Sequence, residues 1–294
     1  MHDASLVLRF LNTLRKNGRS VNTLSAYRND INLFMEFLHQ NQMNPEDYQS
    51  QEEWLHFLKQ KGRNSHASVR RALMSIRSFF HFLVQEKMLA AAPSLDWKSP
   101  VQPKHDLLIV TNKHFQEIKN ALSKEAQTKN PRGVRDLVLF LLLGEYGLKA
   151  TEAAVLTWGD VTLNTLSLKG QRARNLDISN ELTVALEDLR TLRKELHLTI
   201  HPQDFIFYSI KTNTHEQVSD GFHRHSLKSA VYTFCQRTVN TPYNAESLRN
   251  YAIKTLMESQ KSPEALARFA GYASLNSLER FHRQYIRGSR RKTT

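Results

Sequence analysis

Arg63, Arg70 and Arg77 recur every seven residues with no acidic residue between them. Seven residues make about two helical turns, so on a helix Arg70 and Arg77 share a face, with Arg71 beside them and Arg63 at the entry. A guanidinium stays charged at physiological pH and can fork onto two oxygens at once, so this row is suited to gripping phosphates. The alternative is a solvated helix face, a reading that fits mixtures of Lys and Glu better than arginines without carboxylates. The whole chain of 294 residues carries a formal net charge of +13. Neutralising a polyanion, with release of its counterions, is therefore the partner chemistry that composition suggests. Nucleic acid is the first candidate and an acidic membrane surface the second.

The elements that must carry this row are helical. Between Asn22 and Gln40 the apolar residues Leu24, Tyr27, Ile31, Phe34 and Leu38 step by three and four, the mark of one buried helix face. A second stripe, Val69, Leu73, Ile76, Phe80 and Leu83, predicts a helix over 65–87. Shorter segments, 4–16 and 52–61, complete a four-helix unit. Pro93, Pro100 and Pro103 then break the pattern, and Lys98, Lys104 and His105 add charge, as expected of a linker. Helices resume over 113–124 and 134–145. The period shifts to two in Val161-Leu163, Leu166-Leu168 and Leu176-Ile178, predicting a small antiparallel sheet. Further helices are expected over 181–197, 222–237, 245–258, 263–270 and 275–287, with a short strand over 205–208 and a polar loop through Asp220. Ser262-Pro263-Glu264 is a helix start with proline at the first helical position.

Composition narrows the remaining classes. A hydrophobic content of 40% is ample for packed cores. The single cysteine, Cys235, among Val231, Tyr232 and Phe234, is expected to be a buried structural thiol in a reducing compartment. The longest apolar run, Leu137 to Leu143, is too short to span a bilayer, and no charged segment followed by an apolar one opens the chain as a signal peptide would. His223 and His225 near Asp220 do not make a metal-ligand spacing and read as a basic loop. No metal, cofactor or small-molecule substrate is expected.

Three further motifs stand in order. The first is Gly147-Leu148-Lys149-Ala150-Thr151-Glu152-Ala153, followed by Trp158-Gly159-Asp160-Val161. The second is Leu168-Lys169-Gly170-Gln171-Arg172-Ala173-Arg174. The third is Glu246-Ser247-Leu248-Arg249-Asn250, with Ala270-Gly271-Tyr272 placing Tyr272 23 residues after Arg249, and Phe281 nine residues later. In these motifs the chain resembles the tyrosine recombinases, especially the bacterial Xer type and the phage integrases. Their corresponding patterns are Gly-Leu/Met-Arg-x-x-Glu, Gly-Lys-Gly-x-Lys-x-Arg, His-x-Leu-Arg-His, Leu-Gly-His and a tyrosine nine residues on. Asn22-Thr23-Leu24-Ser25-Ala26-Tyr27 resembles the common helix opening of their N-terminal domain.

The resemblance implies a mainly α fold with a small antiparallel β-sheet. It places a helical core-binding, SAM-like DNA-binding domain of four helices at 1–88, a linker at 89–106, an α+β catalytic-type domain at 107–287 and a basic tail at 288–294. It also implies strand cleavage through a covalent intermediate, which needs a nucleophile for phosphorus, cations on the non-bridging oxygens and an acid for the leaving oxygen. At the six family positions only Arg249 is unchanged. Lys149 stands for the first arginine, keeping the charge without the planar fork. Arg172 stands for the hairpin lysine, and a guanidinium with a pKa above about 12 is a poor proton donor. Glu246 replaces one histidine and Tyr272 another, while Phe281 stands in the nucleophile position without the oxygen that attacks. Tyr285, one turn on, is the alternative nucleophile, displaced by about 5.4 Å along the helix.

These readings together predict a cytoplasmic duplex-DNA-binding relative of the recombinases, catalytically silent or impaired. DNA contacts are expected from Arg63, Arg70, Arg71, Arg77, Lys169, Arg172 and Arg174, and an active recombinase or a second copy is a further expected partner. The alternatives are an active enzyme using Tyr285, or a helical protein-interaction module that has lost DNA.

Overall fold

The computed structural model describes residues 4–43, 51–63, 65–92, 98, 107–170, 172–195, 200–210, 217–218, 224–259, 261–272 and 274–290. Most of the segment read as a linker, including its three prolines, lies outside the described residues, as do Asp220, His223 and residues 291–294 of the tail. The chain divides into two compact units, Met1–His105 and Asp106–Thr294.

The first unit contains α1 (Ala4–Lys16), α2 (Val21–Gln40), α3 (Gln51–Gln60) and α4 (His66–Gln85). Ser20 and Ser65 cap α2 and α4, their hydroxyls accepting from the backbone N–H groups of Thr23 and Ser68, which satisfies donors that a helix start leaves open. The apolar stripes read from the sequence converge on one core. There Phe34 meets Trp54 edge-on at 5.2 Å and Phe10 meets Phe79 at 5.3 Å. Two polar side chains, Asp30 and Ser75, enter this core. Asp30 is 1% exposed, and it accepts from Arg71 Nε at 2.9 Å, Arg71 Nη2 at 2.8 Å and the Ser75 hydroxyl at 2.9 Å.

The second unit is built on α6 (Pro131–Gly144), buried at every residue from Asp136 to Gly144. Around it pack α5 (Asn112–Gln127), α8 (Asn180–Glu195), α9 (Arg224–Val239) and α10 (Ala245–Glu258). Between α6 and α8 run α7 (Ala150–Ala153), a 3-10 turn (Trp158–Asp160), and the antiparallel pair β1 (Thr165–Leu168) and β2 (Arg174–Asp177), registered Leu166 to Leu176. The alternation at Val161-Leu163 does not produce a third strand. Val161 forms one isolated bridge to Leu166, and Leu163 turns out to solvent. The strand expected over 205–208 is likewise displaced: Phe205 bridges Thr157, and the paired strands are β3 (Ser209–Ile210) and β4 (Gln217–Val218). Helices α11 (Pro263–Phe269) and α12 (Leu275–Arg290) close the unit. Backbone helix thus runs to Arg290, into the stretch read from the sequence as tail. Cys235 is buried and its thiol is pushed up to about 12 by burial, so it is an inert packing residue. Among the described residues no helix is long and apolar enough to cross a membrane.

Replacing Asp30 by Ala strands one face of Arg71 and leaves the Ser75 hydroxyl with only the Arg71 carbonyl at 3.1 Å. Because the Arg71 side chain is 39% exposed, water compensates in part, and the expected loss is about 2 kcal/mol. Urea denaturation followed by Trp54 fluorescence reads it; an unchanged midpoint would show that the Asp30 cluster contributes nothing to stability.

Candidate functional site

Two tight turns converge in the second unit. Gly147, between α6 and α7, and Gly271, between α11 and α12, both adopt positive φ, +63° and +59°. A side chain is strained in that region, and at Gly271 a Cβ would also lie 2.6 Å from Arg174 Nη1. The turns aim carbonyls at Arg249, which projects from the first turns of α10. Its Nε donates to Gly147 O at 2.9 Å and its Nη2 to Ala270 O at 2.6 Å. Arg249 is 3% exposed, and these two bonds fix its plane.

The other family positions assemble around that guanidinium. The Tyr272 ring lies over it, 5.3 Å from Cζ to the ring centroid. Burial and the Glu246 charge raise the Tyr272 phenol, against the pull of Arg249. Glu246, one turn back on α10, faces Arg249 Nη1 at 3.4 Å with its own side chain 65% exposed. Lys149 caps α7 and points its ammonium to Gly271 O at 3.5 Å. Burial lowers its pKa, and Arg249, Arg172 and Arg174 lower it further, outweighing the favourable field of Glu152. The result is a compact cationic cluster with the Glu246 carboxylate and the Tyr272 phenol beside Arg249.

The residue that organises the hairpin side of this cluster is Glu152, whose role sequence reasoning missed. It accepts a fork from Arg174, at 2.9 and 3.1 Å, and also the Lys149 backbone N–H at 2.8 Å. The Glu152 carboxylate reaching back to the N-cap N–H is a local contact of the first turn of α7, but its Arg174 partner is set by the fold. Asn250, also unassigned, donates to Leu108 O at 3.1 Å and ties α10 to the start of the unit.

Arg174, expected on DNA, is buried and committed to Glu152; its place is under the Gly271 turn. Lys169 pairs with Asp160 at 2.5 Å from an exposed position. Arg172 makes no hydrogen bond or ion pair through its side chain among the described residues and lies within electrostatic range of Lys149. Phe281 is 5% exposed and packs with Ile253, Ala270, Tyr272 and Tyr285 in an apolar cluster beneath the site. Tyr285 donates its hydroxyl to Glu258 Oε1 at 3.1 Å, and its phenol is raised by burial and by that carboxylate. In the first unit, Arg70 and Arg77 lie on one side of α4, Arg70 exposed and Arg77 half-buried, with Arg63 before the helix. Arg71 is drawn off this row into its fork with Asp30. The ridge therefore lacks acids within α4 but not across helices. No group of three or more His, Cys, Asp or Glu residues capable of holding a metal occurs among the described residues.

Comparison with known proteins places these features in a lineage. Residues 7–87 match the phage integrase N-terminal SAM-like domain, and residues 109–286 match the phage integrase family. Tyrosine recombinase XerD of Listeria innocua is 24% identical over 274 residues, 90% of this chain and 88% of that protein. A candidate tyrosine recombinase of Caldanaerobacter subterraneus subsp. tengcongensis is 31% identical over 189 residues, 63% of each chain. Among solved structures, the Tn1549 transposon integrase in complex with circular intermediate DNA superimposes with a TM-score of 0.65 at 17% identity, covering 94% of both chains. A lambda integrase dimer bound to a COC' core site gives 0.64 at 14% identity, covering 94% of this chain and 76% of that one. At such identities the structures bear on fold.

Burial would raise the Glu152 carboxyl, but the Arg174 fork and the Lys149 N–H outweigh it and hold it below the ordinary carboxylate value of 4.5. A depressed carboxylate stabilises the fold above its unfolded pKa and loses that contribution as pH falls through its folded value. Glu152→Gln is therefore expected to be less stable than wild type at neutral pH and to show a flatter acid limb. Glu152→Ala, which leaves Arg174 buried and unpaired, should lose about 3 kcal/mol. Thermal unfolding as a function of pH checks both; parallel curves for wild type and Glu152→Gln would overturn the assignment.

Proposed function

The chain belongs to the phage integrase family, and from that premise we propose that it is a duplex-DNA-binding tyrosine recombinase relative whose strand-cleaving chemistry is silent or impaired. The observation that carries this reading is Phe281. In the family's nucleophile position this chain has a buried phenylalanine, packed against Ile253 and Ala270, and no covalent phosphotyrosine can form on a ring without a hydroxyl.

DNA binding draws on separate support. The net charge is +13, Arg63, Arg70 and Arg77 line one helical unit, and Arg172 and Lys149 stand beside Arg249 in the other. The family relatives named above include integrases solved on DNA. Arg249 and Lys149 are the groups that would face a phosphate at the site. Arg172 contributes charge but is a poor acid, and the lowered pKa of Lys149 makes its ammonium the better proton donor of the two. Biologically, such a protein would act in DNA recombination or integration, as a partner or competitor of an active recombinase. An active enzyme working through Tyr285 is the second reading; its hydroxyl is engaged by Glu258 and its phenol is raised, which weakens it as a nucleophile.

A nicked suicide duplex tests the proposal. Wild type is expected to bind with a steep salt dependence and to form no denaturant-resistant adduct, whereas a covalent adduct on wild type would overturn the silent reading. Phe281→Tyr should form an adduct if the remaining site still supports cleavage. A second outcome concerns pH. Lys149 loses its proton below the ordinary lysine value of 10.5, and a neutral amine no longer attracts phosphate, so wild-type affinity should begin to fall before that pH. Lys149→Arg should hold its affinity to a higher pH in the same titration.

A further inference from the structure

Arg249 has three anchored edges and one of them is an anion. Two of its nitrogens are fixed by the carbonyls of Gly147 and Ala270, so the guanidinium cannot swing away. The third contact, Nη1 to Glu246 Oε1 at 3.4 Å, joins a side chain 4% exposed to one 65% exposed. Glu246 therefore sits on the solvent edge of the cation, where an incoming phosphate oxygen would have to arrive. Its position in the first turn of α10 reinforces this, since that end of a helix attracts negative charge. Among the described residues no other carboxylate pairs with Arg249, and the neighbouring Tyr272, above the plane, and Lys149, across the Gly271 carbonyl, are a phenol and a cation.

Resting on the reading of this site as a phosphate site, we infer that Glu246 is its specificity-determining residue: a built-in anion that occupies the outward edge of Arg249 and disfavours phosphodiester oxygens there. A phosphate entering the cluster either shares Nη1 with a carboxylate of like charge or displaces it into water. Displacement is open to Glu246 because its side chain is largely solvated, and the i,i+3 geometry lets it rotate off without moving α10. Duplex binding by this chain would then lean on its other cations, with Arg249 engaged only by a ligand that competes with Glu246.

The test is a salt titration of the full chain on short duplex DNA, comparing wild type with Glu246→Gln and with Glu264→Gln, an exposed glutamate at the start of α11 that changes net charge equally. Glu246→Gln should bind about two- to fivefold tighter than Glu264→Gln, the range for releasing one exposed charge pair. Its salt slope should steepen by up to about 0.9, the signature of one more neutralised phosphate. Equal affinities and slopes for the two variants, with wild type binding normally, would overturn the role of Glu246 and leave the proposed function standing. Absence of duplex binding by all three proteins would overturn the proposed function and this inference with it. Glu246→Ala, which removes the hydrogen-bonding amide as well, should match Glu246→Gln in slope; a slope equal to wild type would count against the inference.

Discussion

The second unit depends on keeping one guanidinium buried. A guanidinium carries its charge across the physiological range, so burying Arg249 to 3% exposure calls for acceptors around it. Two come from backbone carbonyls presented by turns far apart in sequence, at Gly147 and Ala270. Satisfying Arg249 thus pins the end of α6 and the junction of α11 with α12 to the same point on α10. Lys149 and Tyr272 are brought to the cluster because they flank those turns. The left-handed conformations of Gly147 and Gly271 are required for that geometry, and the close seat of Arg174 against Gly271 leaves no room for a side chain.

Phe281 fits this arrangement without strain because its position also belongs to an apolar floor. Ile253, Ala270 and Phe281 are buried together, with Met257 and the rings of Tyr272 and Tyr285 at their margin. A phenyl ring satisfies packing there as well as a phenol would, so the demand of the fold and the demand of phosphoryl transfer separate at one oxygen atom. The same separation holds at Glu246. An exposed carboxylate at the start of α10 suits the helix and pairs with Arg249, while in the proposed phosphate site it would oppose an anionic ligand. Function on this scaffold therefore has to be argued from the site, side chain by side chain.

Much of the fold was legible because helical periodicity is a local property. The stripes of α2 and α4, the serine caps and the proline start of α11 are each written within a few residues of where they act. What escaped was set by tertiary contacts. Alternation at Val161-Leu163 read as a strand, but Leu163 has no sheet neighbour and is exposed. Arg71 read as part of an acid-free row because its acceptor, Asp30, lies on another helix, next to the core residue Ile31. Arg174 read as a surface cation for the same reason, its acceptor Glu152 being 22 residues away. An arginine's role was decided in each case by whether a carboxylate from elsewhere reached it. Arg249 and Phe281 were singled out by the resemblance of their motifs to a family pattern, and in the structure Arg249 sits between the two glycine turns while Phe281 lies in the apolar cluster with Ala270.

The geometry of α12 also bears on the second reading, in which Tyr285 serves as the nucleophile. Carrying Tyr285 into the place of Phe281 requires α12 to slide by four residues, about 6 Å at a rise of 1.5 Å each. The same slide carries His282, exposed in the structure, into the place of Leu278, which is buried. It also parts the Tyr285 hydroxyl from Glu258. Losing one buried leucine costs about 1.5–3 kcal/mol, and burying an imidazole without a partner adds to that. The amphipathic register of α12 that seats Phe281 is thus the feature that keeps Tyr285 away.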